Sequence, residues 1–262
     1  MKYVVTGDTH GDMRRFKNYP YERDGNTAVI ILGDAGVNYY LSLRDRKAKH
    51  ELQDSGYIYY LVRGNHEARP EEVADIKLAN DLLVGNEVYI EPEFPAIRYL
   101  KDGGIYNFNG HKTLVIGGAY SVDKWYRLAN GWMWHKNEQL TGEEKEKIYE
   151  EVKGQDFDFV FTHTCPYSWI PTDLFISGIN QETVDNSTEL WLEDIKEAIN
   201  YKVWLFGHYH ADRIERPGVE QYYMCDDDLE MIFDRWQHLE PMSCFYPIDC
   251  LIPKSPDYFK ED

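Results

Sequence analysis

The stretch K-Y-V-V-T-G-D-T-H-G-D, residues 2–12, joins a short apolar run directly to a turn that contains two carboxylates and an imidazole. A short apolar run that ends at glycine is typical of a buried β-strand with both faces covered. A tight turn requires glycine, aspartate or asparagine, but it has no need of histidine. Residues 7–12 therefore raise the question of whether this turn is also half of a metal site.

The same pattern recurs along the chain, and each recurrence predicts another buried strand that ends in a polar turn. The further runs are residues 28–32, 57–62, 113–116, 157–161 and 202–206. Helical spacing and capping residues between several of these runs predict helices over residues 39–54, 141–152 and 187–199. Strands that alternate with helices predict an α/β sandwich with functional side chains on the loops after the strands.

Two further regions have distinct compositions. Residues 91–118 contain proline and glycine pairs between short runs, which is typical of β-hairpins, and so we expect a second sheet. Residues 226–262 are rich in proline, aspartate and aromatic residues with weak periodicity. We expect this part to form an irregular C-terminal wrap over the core.

The bulk composition limits the class of protein. With 262 residues, the chain is long enough for one large α/β domain, and we interpret residues 1–262 as a single domain. No apolar run approaches the roughly 20 residues of a membrane helix, and the N-terminus does not resemble a secretion signal. We therefore expect a soluble, cytoplasmic protein without a membrane partner.

The net charge bears on the substrate. The formal net charge is -18, from 46 acidic and 28 basic residues, and such a charge repels long nucleic acids. A small phosphorylated molecule or a nucleotide is compatible with this charge if a metal site supplies local positive charge.

Polar side chains collect at the ends of the predicted strands, and five of the chain's nine histidines are among them. Five successive strand ends of this kind indicate a shared metal centre better than chance placement does. Carboxylates, imidazoles and one amide, without a thiolate, suit manganese, iron or zinc rather than a structural zinc knot. If His66 is left out, the seven remaining donors are too many for the ligand positions of one tetrahedral ion, and they fit two ions that share a carboxylate. The strand-end residues are Asp8, His10, Asp34, Asn65, His66, His163, His208 and His210.

The motifs G-D-T-H-G-D, G-D-A-G, R-G-N-H-E, T-H-T-C-P and G-H-Y-H resemble those of the calcineurin-like binuclear metallophosphoesterases, in the same order from residue 7 to residue 210. The resemblance implies a four-layer α/β/β/α sandwich with two mixed β-sheets and a metal site on loops at the C-terminal ends of strands. It also implies a hydrolase of phosphomonoesters or phosphodiesters, in which a hydroxide that bridges two metal ions attacks phosphorus in line.

The resemblance carries residue roles to matching positions. His66 would act as a general acid or contact the phosphate, and so His66 and Asp34 are the expected catalytic residues. Manganese is the expected metal, with iron or zinc as alternatives. The implied ligands are Asp8, His10 and His210 for the first ion, Asn65, His163 and His208 for the second, and Asp34 as the bridge.

The second motif departs from that of the related protein serine/threonine phosphatases, which read G-D-x-V-D-R-G. In this chain Val37 and Asn38 occupy the positions of the second aspartate and the arginine. R-G-N-H-E does match those phosphatases, so a protein phosphatase is an alternative that the second motif disfavours. A scaffold that keeps the fold without catalysis is a further alternative, and the full ligand set argues against it.

Another arginine could supply the missing guanidinium. Arg127, Arg69 and Arg14 are the candidates, and we favour Arg127 because its segment leaves a strand end. The surrounding residues 119–136 form an aromatic loop or cap, which would either stack on a base or aryl group or cover the edge of the sheet. Residues 117–127 are similar to segments of bacterial and phage-type members of the superfamily, which indicates no substrate.

Overall fold

The computed structural model describes residues 1–216 and 218–237. The strands are β1 Lys2–Thr6, β2 Thr27–Leu32, β3 Ile58–Val62, β4 Lys77–Asp81, β5 Asn86–Ile90, β6 Ile97–Tyr99, β7 Gly104–Phe108, β8 His111–Ile116, β9 Asp156–Thr162, β10 Asn200–Phe206, β11 Arg213–Arg216, β12 Val219–Gln221 and β13 Asp227–Asp228. The α-helices are α1 Leu43–Gln53, α2 Lys124–Ala129, α3 Gly142–Val152, α4 Ser187–Ala198 and α5 Leu229–Gln237. Short 3₁₀ segments lie at Met13–Asn18, Pro70–Glu72, Tyr167–Trp169, Thr172–Leu174 and Gln181–Thr183.

The described strands form two mixed sheets. The first has the order β13-β1-β2-β3-β6-β5-β4, in which β1, β2, β3 and β6 are parallel and the outer strands antiparallel. The second has the order β11-β12-β10-β9-β8-β7, with a parallel centre of β12, β10, β9 and β8. Both sheets therefore have their parallel strands in the middle, where the predicted site residues follow the strand ends.

Three apolar clusters arrange the sheets and helices in layers. Tyr3 and Val5 of β1 pack in a cluster between the two sheets, whereas Val4 points to the opposite face, toward the side of α1. The outer face of the second sheet packs against α3 and α4, through residues such as Ile148 and Ile195. Successive side chains of a strand point to opposite faces, so each central strand contributes to two clusters. The predicted four-layer α/β/β/α sandwich is confirmed.

Local signals in the sequence account for the main helices. At α3, Thr141 and Glu144 form the expected capping box, in which each side chain accepts a hydrogen bond from the other residue's backbone N–H. Helix α4 begins at Ser187 as expected, whereas α1 begins at Leu43, behind a Ser42 cap, rather than at residue 39. Within the described part of the chain, no helix combines the length and apolar character that crossing a membrane requires.

Both halves of residues 91–118 take part in antiparallel strand pairs, as predicted, but only the second half belongs to the second sheet. β7 and β8 form an antiparallel hairpin, and Asn109 and Gly110 at its tip both have positive φ, at 54° and 92°. β6 pairs antiparallel with β5 across residues 91–96 and in parallel with β3, and so it belongs to the first sheet. The buried side chains of Ile97 and Tyr99 complete the outer apolar cluster of that sheet.

The predicted irregular wrap over residues 226–262 is wrong where the structure describes it. Asp227 and Asp228 pair with β1, and α5 buries Leu229, Ile232 and Phe233 in the cluster between the sheets. Spacing of three and four residues is that of an amphipathic helix, and this signal is readable in the sequence. Residues 238–262 lie outside the described residues.

Candidate metal centre

The loops that follow β1, β2, β3, β9 and β10 meet at one edge of the two sheets. Hydrogen bonds join the sheets at this edge. His208 N–H donates to both carboxylate oxygens of Asp8, at 3.0 and 2.9 Å, and His163 Nδ1 donates to the carbonyl oxygen of Leu32 at 2.9 Å. The parallel strands thus bring together side chains that are about 200 residues apart in sequence, such as those of His10 and His210.

The backbone at the predicted ligands is strained. Non-glycine residues seldom adopt a left-handed backbone conformation, and such strain concentrates at functional sites. A turn of this kind lets the chain leave each strand sharply while the side chain stays at the strand end. The predicted ligands with positive φ are Asp8 (47°), His10 (46°), Asp34 (50°), His208 (71°) and His210 (51°).

Gly33 shows why glycine precedes a ligand in these motifs. A Cβ atom at this position would lie 2.5 Å from Cγ and 2.8 Å from Cε1 of the His163 ring. The residue also has a φ of +91°, which favours glycine. The glycine of the second motif therefore makes room for the imidazole of the fourth.

Asp34 lies at the centre of the cluster. Its Oδ2 atom is 3.6 Å from Nε2 of His163, 3.8 Å from Nε2 of His66 and 3.9 Å from Nε2 of His10. Its other oxygen accepts a hydrogen bond of 3.0 Å from the backbone N–H of His66. One carboxylate oxygen surrounded by imidazoles from three loops has the position expected of a ligand shared by two ions.

The first predicted ligand group is brought together. Asp8, His10 and His210 each offer one ligand atom, and these atoms lie within 4.8 Å of one another. Nε2 of His10 and Nε2 of His210 are 2.9 Å apart, and Nε2 of His210 is 3.8 Å from Asp8 Oδ1. Two ring nitrogens that face each other across a carboxylate fit the coordination of a cation.

The second group is partly brought together. Asn65 Oδ1 lies 2.8 Å from Nε2 of His163, and both side chains are buried. His163 also forms a compact group with Asp8 and Asp34, whose ligand atoms lie within 4.8 Å of one another. The ring of His208 lies beside that of His163, with centroids 5.0 Å apart. The role of His208 as a ligand stays a prediction.

The electrostatics of the cluster follow from burial of several charges together. Burial raises the pKa of Asp8 well above its ordinary value, the charge of His163 offsets part of this rise, and the charge of Asp34 adds to it. Burial also acts to raise the pKa of Asp34, but His66, His163 and His10 outweigh it and hold this pKa well below its usual range. Burial lowers the pKa of His163, and Asp34 reverses this effect and raises it to about 9. Two adjacent buried carboxylates favour any arrangement that adds positive charge.

The donor set fits metal ions. Buried carboxylates, imidazoles and an amide oxygen converge from five loops without a thiolate, which matches the ligand preference of manganese, iron and zinc. Nδ1 of His163 is bound to a backbone carbonyl, which leaves Nε2 for a metal.

His66 and Arg127 face the same side of the cluster. The ring centroid of Tyr39 lies 6.2 Å from that of His66, and the Tyr39 hydroxyl is hydrogen-bonded to the Arg127 guanidinium. Burial lowers the pKa of His66 to about 4, with Asp34 acting in the opposite direction and Arg127 in the same direction. The positive charge of Arg127 therefore reaches the rim of the cluster.

The other two candidate arginines are engaged elsewhere. Arg69 is buried and donates to Glu144 at the start of α3 and to the carbonyl oxygens of Asn137 and Gln139. Arg14 forms a two-point pair with Asp12, at 2.8 and 2.9 Å. Asp12 also caps the 3₁₀ segment that follows it, because its side chain accepts a hydrogen bond from the backbone N–H of Arg14.

The second motif departs from the phosphatase pattern at two buried positions. Val37 packs in the outer apolar cluster and Asn38 is buried, so neither side chain replaces the missing aspartate and arginine. Instead, the backbone N–H of Gly36 donates to Glu67, which also accepts from Gly64 N–H, at 2.8 and 3.2 Å. Burial raises the pKa of Glu67 to about 7. The sequence interpretation missed this link between the second and third motifs, although Glu67 is part of R-G-N-H-E.

The aromatic segment 119–136 contains helix α2 and borders the cluster through Arg127. Trp125 and Tyr126 are 65% and 54% exposed, so they do not cover the edge of a sheet. Trp134, in contrast, donates its indole N–H to Glu138 at 2.8 Å. The segment therefore has an exposed part and a part that is anchored beside the site.

Two mixed sheets with carboxylates and imidazoles at the ends of their parallel strands define an α/β protein with a candidate metal centre. The model of the family described as calcineurin-like phosphoesterase matches residues 1–212, and the chain belongs to this family. Membership identifies it as a metallophosphoesterase, the class that the five motifs predict. A comparison with curated proteins found no match.

Proposed function

We propose that the protein hydrolyses a phosphomonoester or a phosphodiester at a centre of two metal ions. The observation that carries this proposal is the position of Asp34, whose Oδ2 atom lies within 3.9 Å of Nε2 of three histidines from three different loops. Membership of the calcineurin-like phosphoesterase family supports the same chemistry.

Seven side chains would hold the ions, with manganese expected and iron or zinc as alternatives. When bound, the ions would supply positive charge and an activated water for in-line attack at phosphorus. The chain's own part is to hold the ligands at the ends of rigid strands, which limits reorganisation during the reaction. The proposed ligands are Asp8, His10 and His210 at one ion and Asn65, His163 and His208 at the other, with Asp34 shared.

His66 and Arg127 would contact the substrate. His66 presents Nε2 toward Asp34 without belonging to either group of three ligands, and it is therefore available to a phosphoryl or leaving-group oxygen. Arg127 sits beside Tyr39 at the same rim and would bind a non-bridging phosphoryl oxygen. These two side chains provide donors where the second motif lacks its arginine.

The direct test is a parallel assay. The purified protein, loaded with Mn²⁺, Fe²⁺ or Zn²⁺, is given p-nitrophenyl phosphate and bis(p-nitrophenyl) phosphate while its metal content is measured. We expect two equivalents of metal and turnover of at least one ester. Two bound equivalents without turnover of either ester would favour the scaffold alternative, and absence of metal would contradict the proposal.

His66→Asn is expected to lower kcat/KM by about 10- to 100-fold, since a hydrogen bond to a charged group contributes about 1.5–3 kcal/mol. The measurement compares an aryl ester with an alkyl ester. Equal losses on both indicate a contact to the phosphoryl group, because this contact does not depend on the leaving group. A loss confined to the alkyl ester, whose leaving group needs a proton, indicates a general acid. Unchanged turnover of both would contradict any contact with substrate.

Arg127→Ala is expected to raise KM and lower kcat/KM by about 10- to 100-fold, because a charge-assisted hydrogen bond to phosphate is lost. Arg69→Ala is the matched comparison, since Arg69 is bound to Glu144 and to backbone carbonyls. It should lower the melting temperature with little change in KM. The assignment of Arg127 fails if the two variants show the same pattern.

A further inference from the structure

Ser121 connects the loop after β8 to a predicted metal ligand. Nδ2 of Asn65 lies 2.9 Å from Oγ of Ser121, and both residues are buried. Because Oδ1 of Asn65 faces His163 at 2.8 Å, the two ends of this amide have different surroundings. An amide that is turned by 180° would present hydrogen atoms to a cation instead of an oxygen.

Glu138 holds Ser121 in turn. Its Oε1 atom accepts from the Ser121 backbone N–H at 3.1 Å, and its Oε2 atom accepts from the Ser121 hydroxyl at 2.5 Å and from the Trp134 indole N–H at 2.8 Å. Its carbonyl oxygen accepts from the Arg63 guanidinium at 2.6 Å, which fixes it to the end of β3. Glu138 is only 3% exposed, so water does not compete for these bonds.

With Glu138 ionised, the direction of every hydrogen bond in this series of contacts is determined. An indole N–H and a backbone N–H can only donate, and so both oxygens of Glu138 act as acceptors. The Ser121 hydroxyl then uses its single hydrogen toward Glu138. Its oxygen is left as an acceptor, which requires the amide nitrogen of Asn65 to face it. The amide oxygen is thereby turned toward His163 and the other predicted ligands.

Burial raises the pKa of Glu138 above its ordinary value, and the hydrogen bonds from Ser121 and Trp134 counteract this rise. The three donors therefore favour the carboxylate form, in which Glu138 accepts only.

We propose that Ser121 and Glu138 are positioning residues that hold the Asn65 amide with its oxygen toward the second metal ion. This inference rests on the proposed function, because it assigns a role toward an ion of that same site. Residues 119–136 would then contribute to the site in two ways. Arg127 would bind the substrate, and Trp134 would help to hold Asn65 through its hydrogen bond to Glu138.

The test is a calorimetric titration of the metal-free protein with Mn²⁺, combined with kcat. Ser121→Ala and the isosteric Glu138→Gln should each weaken the second Mn²⁺ site by about 10- to 100-fold, as losses of outer hydrogen-bond partners typically do. The first Mn²⁺ site should keep its affinity. In Glu138→Gln the new amide would offer only one oxygen to the three donors that the carboxylate now accepts. The fixed directions of these hydrogen bonds would be lost, while the size of the side chain would stay the same.

Glu220→Gln is the matched control. Glu220 is buried and accepts an indole N–H from Trp236 at 2.6 Å, but it is not part of the contacts to Asn65. This variant should keep both Mn²⁺ affinities, so that any general effect of removing a buried carboxylate is measured separately.

Two outcomes are distinct. If the wild-type protein binds two Mn²⁺ ions and Ser121→Ala and Glu138→Gln bind both as tightly, the positioning role is overturned and the proposed function stands. If the wild-type protein binds none of Mn²⁺, Fe²⁺ and Zn²⁺, the proposed function itself fails. Should Ser121→Ala not fold, Glu138→Gln decides the question alone, with its melting temperature compared with that of Glu220→Gln.

Discussion

Asp34→Asn is expected to abolish hydrolysis and to reduce the amount of bound metal below two equivalents. Its Oδ2 atom is the common neighbour of His10, His66 and His163, at 3.6–3.9 Å. Asparagine has the same shape but no negative charge, and its nitrogen cannot bind a cation. Since metal ions contribute several kcal/mol to transition-state stabilisation, and about 1.4 kcal/mol is a factor of ten, we expect a loss of about 10³-fold or more. The measurements are kcat/KM with Mn²⁺ and metal content after dialysis.

Asp12→Asn is the control for this prediction. Asp12 belongs to the same first motif as Asp8, but its carboxylate pairs with Arg14 and caps the segment behind it. Removing this charge should leave metal content and turnover close to those of the wild-type protein. Retention of two equivalents of metal by Asp34→Asn, with turnover within about tenfold of the wild type, would contradict the shared-ligand role.

The parts of the fold that the sequence predicts are those with local signals. The apolar run of β1 ends at Gly7, and the Thr141–Glu144 capping box begins α3, so both elements lie where the pattern places them. The sequence does not assign β6 to the first sheet, because three residues carry no information about which strand they pair with. That pairing depends on tertiary packing, which a short run cannot specify.

The residues of the candidate site likewise fall into those with a local sequence signal and those that depend on tertiary packing. The residues at strand ends can be found because each motif places a ligand type directly after a strand, and in four of the five motifs a glycine precedes it. Ser121 and Glu138 cannot be found in this way, because the link from Ser121 to Asn65 spans 56 residues and depends on the approach of two loops. Arg69 follows the third motif closely, yet its guanidinium points to α3, which position in the sequence does not reveal.

Several residues of the candidate site adopt a left-handed backbone conformation, which has an energetic cost. Asp8, Asp34 and His208 each sit directly after a glycine and adopt positive φ, which costs on the order of 1–3 kcal/mol per residue. The surrounding sheets must supply this energy, and they do so through fully buried strands such as β2. The candidate site therefore lies directly at the ends of buried strands.

Gly64→Ala is expected to lower kcat/KM by about 100-fold or more while the protein stays folded. A Cβ atom at this position would overlap Oδ1 of Asp34 and would lie 2.7 Å from its Cγ, closer than the 3.0 Å within which Cβ contacts are essentially absent. Asp34 has no free direction in which to move, because Oδ1 accepts the His66 N–H and Oδ2 faces the imidazoles. A displacement of about 1 Å in a catalytic group can cost about 10²-fold.

Gly142→Ala separates this effect from the general consequences of adding a methyl group. Gly142 is the first residue of α3, and no atom lies within 4 Å of the position that its Cβ would occupy. Alanine is also the better helix former, by up to about 1 kcal/mol. This variant should be as active as the wild type and at least as stable. Circular dichroism and metal content are measured for both variants. A folded Gly64→Ala protein with normal turnover would mean that Asp34 does not need its observed position, and the shared-ligand role would lose its geometric basis.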